Sequence, residues 1–144
     1  MFITSLVILF ALMLPFRSTR ENGFYILHMI IVLSITYYTE HNLFRTPVFH
    51  KYSFMCFLIL HIISINIVTM LAYAKDKKAA MKKEWRIPER NLHALEILGG
   101  TPLAMISQKI FRHKTKKSSY KSFFIFIFIM QISIILFIAK EFIL

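Results

Sequence analysis

Three groups of residues in this sequence have types and spacings that suit chemistry. The densest is a pair of basic stretches, YAKDKKAAMKKEWRIPER over 73–90 and RHKTKKSSY over 112–120. Arginine presents a planar fork of donors that matches phosphate and carboxylate, and lysine adds a point charge. Arg86, Arg90 and Arg112 would supply forks, with His113, Lys114 and Lys117 as further contacts. That set reads as an anion site, with phosphate as the natural ligand. Asp76 is an acid among lysines, and its simplest use is a salt bridge to Lys77 or, across the loops, to Arg112. Should a phosphorylated substrate sit there, Asp76, Glu89 and His113 are the groups able to act as acid or base.

The second group is Glu89, His93 and Glu96, at i, i+4 and i+7 on one helical stripe. Two carboxylates and an imidazole on one face suit a divalent cation. One stripe offers three ligands at best, however, and no second helix repeats the pattern. The simpler reading is the polar face of an amphipathic helix, with Leu92, Leu95 and Leu98 opposite. No metal and no other cofactor is expected. The third group, His28, His61, Asn66 and Gln131, lies inside apolar runs, where hydrogen bonds between helices are the expected use. The sequence contains no phosphate loop, dinucleotide fingerprint, zinc-protease motif or nucleophile elbow. Cys56 is the only cysteine, so no disulfide forms within the chain.

The elements that must hold these residues follow from composition. The 144 residues are 57% hydrophobic, yet 18 Lys+Arg stand against 7 Asp+Glu, a net charge of +11. Such hydrophobicity excludes a disordered basic tail and does not suit a soluble nucleic-acid binder. Long apolar runs with charge confined between them define the membrane class. The runs are Met1–Phe16, Phe24–Thr39, Tyr52–Ala74 and Phe123–Ala139. The first lacks a preceding basic residue and a small-residue cleavage site, so it reads as a short span and not as a signal peptide.

Between the two basic stretches lies 88–111, punctuated twice. Pro88 suits a helix start and Glu89 complements the helix dipole. Gly99 and Gly100 supply a stop, after which Thr101 as N-cap and Pro102 as first helical residue supply a second start. Two short helices, Pro88–Leu98 and Pro102–Phe111, are therefore predicted. They form either a hairpin that dips in and returns or one span kinked at the glycines. With a hairpin, all of the 18 Lys+Arg except Arg45, Lys51 and Lys140 fall on one side. A span divides them almost evenly. The positive-inside rule selects the hairpin. The expected architecture is thus all-α and polytopic. It has four transmembrane helices and a re-entrant or interfacial hairpin at the cytoplasmic face of a bacterial inner membrane, with both termini on the other side.

The ordered block Asn66, Tyr73, Asp76-Lys77, Ala80, Trp85-Arg86-Ile87-Pro88-Glu89, Leu92-His93, Gly99-Gly100, Pro102, Gln108, Phe111-Arg112-His113-Lys114-Thr115, Lys117 and Tyr120 resembles a small bacterial membrane family described as a domain of unknown function. Its members read DK, RIPE, GG-x-PGA and FRHKT-x-K in order. Leu103 stands where that family usually has Gly, Glu96 where it has an apolar residue, and Tyr120 where it has Phe. The resemblance implies that residues 66–144 form one family-like unit, preceded by membrane spans in 1–65. Some members carry a fused cold-shock domain. These 144 residues do not contain one, so no nucleic-acid partner is expected. The leading functional expectation is a non-enzymatic module whose basic loops and hairpin bind anionic lipid headgroups or an acidic or phosphorylated partner. The alternatives are a small membrane enzyme acting on a lipid or isoprenoid phosphate, and a structural subunit packed against another membrane protein.

Overall fold

A computed structural model describes residues 8–9, 19–39, 41, 51–112 and 117–143, and among them every regular element is helical. In chain order these are α1 (Thr19–Thr39), α2 (Lys51–Lys82), α3 (Glu89–Leu95), a π-helical turn (Glu96–Gly100), α4 (Thr101–Ile110) and α5 (Ser118–Ile143). The all-α expectation holds.

The number of spans is corrected. Among the described residues two helices, Cys56–Lys82 and Ser118–Phe137, are long and apolar enough to cross a membrane, where four were expected of the chain. The apolar part of α1, Gly23–Thr39, is shorter. At about 1.5 Å per residue it covers only about 25 Å of a hydrocarbon core of roughly 30 Å. The predicted span Met1–Phe16 lies outside the described residues except for Ile8 and Leu9.

Helix α2 runs 32 residues without glycine or proline. Its length of about 48 Å exceeds the hydrocarbon thickness, so its basic last turns project beyond the apolar stretch. It ends where Lys83 takes φ 57 and the Glu84 N–H donates to Ala79 O at 3.0 Å. This is the six-to-one bond of a Schellman ending, with lysine in the left-handed position usually held by glycine. Lys83→Gly is therefore expected to raise stability by about 1 kcal/mol in a detergent melt. An unchanged or lowered melt would contradict that.

Helix α5 turns a stripe inward, with Tyr120, Phe124 and Ile127 buried, at i, i+4 and i+7. Its other faces carry exposed Phe126, Ile129, Ile135, Leu136 and Phe137. A soluble helix would place polar residues there. The core between α2, the short helices and α5 contains Ile65, Val68, Ala72, Tyr73, Leu92, Leu95, Ala104, Tyr120 and Phe124, with Tyr25 reaching in from α1.

The segment after α2 is a hairpin. Arg86 binds Asp76 near the C-terminal end of α2, and Glu89 at the start of α3 meets Lys117 just before α5 at 2.7 Å. The segment therefore leaves and returns at the same end of the molecule. At its far end, Gly99 adopts φ 112. A Cβ there would lie 3.2 Å from the Ile62 side chain. Ile62 is about 21 Å back along α2 from Asp76, which sets the depth of the hairpin.

Two details differ from expectation. Helix α3 begins at Glu89 with Pro88 in the N-cap place, and its last turn widens to a π turn from Glu96. Thr101 is not an N-cap. Gly100 holds that position, and the Thr101 hydroxyl donates back to Glu96 O at 3.0 Å. The wide turn frees that carbonyl, and the hydroxyl satisfies it.

Candidate functional site

The tip of the hairpin exposes consecutive backbone carbonyls, because a π turn followed by a left-handed glycine breaks the regular helix ladder. In apolar surroundings each unpaired group is costly. Side chains from both long helices meet them. Gln131 of α5 donates to Glu96 O at 2.8 Å and Ile97 O at 3.1 Å. His61 bonds Leu98 O at 3.1 Å. Asn66 donates to Gly99 O at 2.9 Å and accepts from Leu103 N–H at 3.0 Å. Three of the four polar residues of the apolar runs, His61, Asn66 and Gln131, thus clamp the hairpin tip.

The His61 bond also fixes a direction. A carbonyl can only accept, so His61 Nε2 carries the proton. With both rings uncharged, His61 Nδ1 then accepts from His28 Nε2 (3.1 Å), and His28 Nδ1 accepts from the Ser64 hydroxyl (2.9 Å). This chain ties α1 through α2 to the hairpin.

Below the basic loops lies a second polar cluster around Glu96, which is fully buried. Tyr73 donates to its Oε1, Tyr120 donates to the same oxygen at 2.8 Å, and His93 Nδ1 meets Oε2 at 2.6 Å. Gln108 donates to the Tyr73 hydroxyl at 3.2 Å. The His93 ring stacks on Tyr120 with centroids 4.1 Å apart. Beside it opens a cavity of about 410 Å³ lined by Arg90, His93, Ala94, Ile97 and Phe123.

The described residues expected to bind an anion are engaged in different ways. Arg86 is engaged by Asp76 through Nη2 at 3.0 Å and Nε at 3.3 Å. That bond raises the guanidinium pKa above its ordinary value and so holds the charge. Asp76, fully buried, also accepts from Ile87 N–H at 3.1 Å. Asp76 thus pairs with Arg86, because the extended 84–88 segment folds back over the end of α2. Asp76→Ala should cost about 1–3 kcal/mol by leaving that buried amide unpaired. A detergent melt that does not move would refute this. Lys117 faces Glu89, Arg90 lines the cavity, and Arg112 is exposed at φ 45, ending α4. His113 and Lys114 lie outside the described residues.

The proposed metal stripe is put to other use. Glu89 pairs with Lys117, while His93 and Glu96 pair with each other. Among the described residues no three His, Cys, Asp or Glu side chains gather as a metal site. Pro88, Gly99, Gly100 and Pro102 all lie at turns or starts of the hairpin. Gly100 is also a contact point, since a Cβ there would lie 2.1 Å from Thr69 Oγ1. Tyr73, Tyr120, Gln108 and Thr69 were not singled out as site residues by sequence. Tyr73, Gln108 and Tyr120 stood in the family-like block without a role, and Thr69 showed only as a polar group within an apolar run.

The fold and this site define a class: among the described residues, an all-helical protein with two helices of membrane-crossing length and character, holding a polar-clamped helical hairpin between them. Residues 66–120 match the family described as Protein of unknown function (DUF1294). That stretch runs from the Asn66 clamp to the Tyr120 bond on Glu96. The chain is also similar to Uncharacterized protein YsdA of Bacillus subtilis (strain 168), with 33% identity over 61 residues, 42% of this chain and 68% of that relative. The chain belongs to the DUF1294 family. No solved structure matches it.

Proposed function

We propose that this is a membrane-embedded module whose hairpin and flanking basic loops lie at one face of the bilayer and bind anionic lipid headgroups. The observation that carries the reading is the distribution of exposed side chains. Ile59, Ile63 and Ile67 on α2, and Phe126, Ile129 and Phe137 on α5, are half exposed or more. So large an apolar surface is a burden in water and natural in lipid. It gives way, at the end where the hairpin returns, to exposed Lys75, Lys78, Lys82, Lys83, Arg86, Arg90, Arg112, Lys117 and Lys121. Each basic residue near an anionic leaflet contributes about 1 kcal/mol, screened within about a Debye length.

The proposal is tested by native mass spectrometry of protein purified in mild detergent and offered equal phosphatidylglycerol and phosphatidylcholine. Phosphatidylglycerol should be retained preferentially, and the preference should fall as salt rises. No preference would refute it. Arg112→Ala should weaken retention more than Lys121→Ala. Equal losses would mean diffuse charge without a shaped contact.

A further inference from the structure

We propose that the cavity beside α3 is the seat of one anionic phospholipid, with Arg90 and His93 holding the phosphate and Ala94, Ile97 and Phe123 contacting the chain. The inference rests on the lipid-binding reading above and assigns it a place. The cavity, about 410 Å³, is graded in the sense a lipid requires. Arg90 stands near the end of the hairpin where Glu89 meets Lys117, among the basic loops. Ile97 stands two helical turns deeper, about 10 Å along the hairpin toward its tip. A charged headgroup at Arg90 therefore places its chain against Ala94, Ile97 and Phe123.

His93 completes the seat through its orientation. Nδ1 is held by the buried Glu96 carboxylate at 2.6 Å, and the ring stacks on Tyr120 and meets Phe123 at a tilt, with centroid distances of 4.1 and 4.7 Å. Nε2 has no hydrogen-bond partner among the described residues. It is also absent from the buried unpartnered atoms there, which are Thr36 Oγ1 and Ser107 Oγ. It therefore faces the open side, which the cavity supplies. In the protonated ring both nitrogens donate, Nδ1 to Glu96 and Nε2 to a phosphate oxygen. The uncharged ring that donates to Glu96 offers only a lone pair, which a phosphate oxygen cannot use. The groups around His93 are Glu96 and, through it, Tyr73 of α2, with Tyr120 of α5 and Arg90 of α3 itself. None of them supplies a second donor in place of Nε2 except Arg90. His93 therefore serves the phosphate as a donor through Nε2, and loss of that donor should weaken lipid affinity.

The test is a calorimetric titration of short-chain phosphatidylglycerol, and in parallel phosphatidylcholine, into the full chain in non-ionic detergent at one pH. His93→Gln retains a donor and should bind phosphatidylglycerol within a few-fold of wild type. His93→Phe retains the ring stacking but no donor and should bind about tenfold more weakly, as the loss of a charge-assisted bond predicts. Ile97→Trp, at a half-exposed position, should fill the cavity and abolish binding without altering the melt. Phosphatidylglycerol preferred over phosphatidylcholine but bound equally by His93→Phe and Ile97→Trp would overturn the seat and leave the general reading standing. No preference at all would remove both. Displacement by inorganic phosphate at equal concentration would overturn the lipid assignment.

Discussion

Asn66→Leu is expected to lower the stability of the protein by about 3 kcal/mol, the result of leaving two partly buried backbone groups unpaired at about 1–3 kcal/mol each. The two groups are Gly99 O and Leu103 N–H, which Asn66 satisfies with its amide and carbonyl ends at 2.9 and 3.0 Å. Leucine matches the volume and suits an apolar surrounding, so burial of the side chain itself does not explain a loss. The position lies within α2, and leucine is the better helix former, which would on its own raise stability. The signs of the two effects are opposite, and the orphaned groups outweigh propensity. Thermal unfolding in detergent should show the loss. A change below about 1 kcal/mol would mean that solvent or lipid replaces Asn66 at the tip, since hydration removes most of the penalty.

Gly100→Ala is the second large effect. In an ordinary helix position this change stabilises by about 1 kcal/mol. Here the added methyl would stand 2.1 Å from Thr69 Oγ1, 2.9 Å from Thr69 Cβ and 2.8 Å from Leu95 O. One of these is a backbone atom, which cannot rotate away. Overpacking of this kind costs about 1–3 kcal/mol, and the hairpin must lift from α2 to relieve it. Thr69→Ala removes the nearest atom but not the other two. The double variant should therefore recover part of the loss, a coupling of about 0.5 kcal/mol or more. Strict additivity of the two substitutions in the same melt would show that Thr69 is not the obstacle.

These two residues show how far the sequence could be read. The punctuation of the hairpin was legible: Pro88, the glycine pair and Pro102 mark the start, turn and restart by backbone chemistry alone. Asn66, His61 and Gln131 were legible as polar groups that need partners inside apolar runs. Their partners were not, because the receiving carbonyls are freed only when the last turn of α3 widens and Gly99 turns left-handed. The contact of Gly100 with Thr69 is a property of two segments packed together, and nothing in either segment announces it.

Glu96 is the clearest case. Its stripe with Glu89 and His93 reads in the sequence as the polar face of an amphipathic helix, yet His93 and Glu96 are buried, because the chemistry on that face depends on what it meets. It meets α5 and α2, where Tyr120 and Tyr73 supply hydroxyl donors from far along the chain. A carboxylate that looked like a cation ligand is thus a fully buried acceptor with three donors. Among the described residues the span count fell short for a related reason. Apolar composition identified the runs, but length decided which could cross a bilayer, and Gly23–Thr39 is too short by that measure.

The central claim is that 88–111 returns to the face it leaves, between two helices that cross the membrane. Thiol accessibility measures this directly. In a Cys56→Ala background, Lys82→Cys, Lys121→Cys and Lys140→Cys each place one thiol at an exposed position. Sealed vesicles of known orientation are then treated with a membrane-impermeant maleimide. The account predicts that positions 82 and 121 label from the same side and position 140 from the opposite side. Labelling of 82 and 121 from opposite sides would make the segment a span and contradict it.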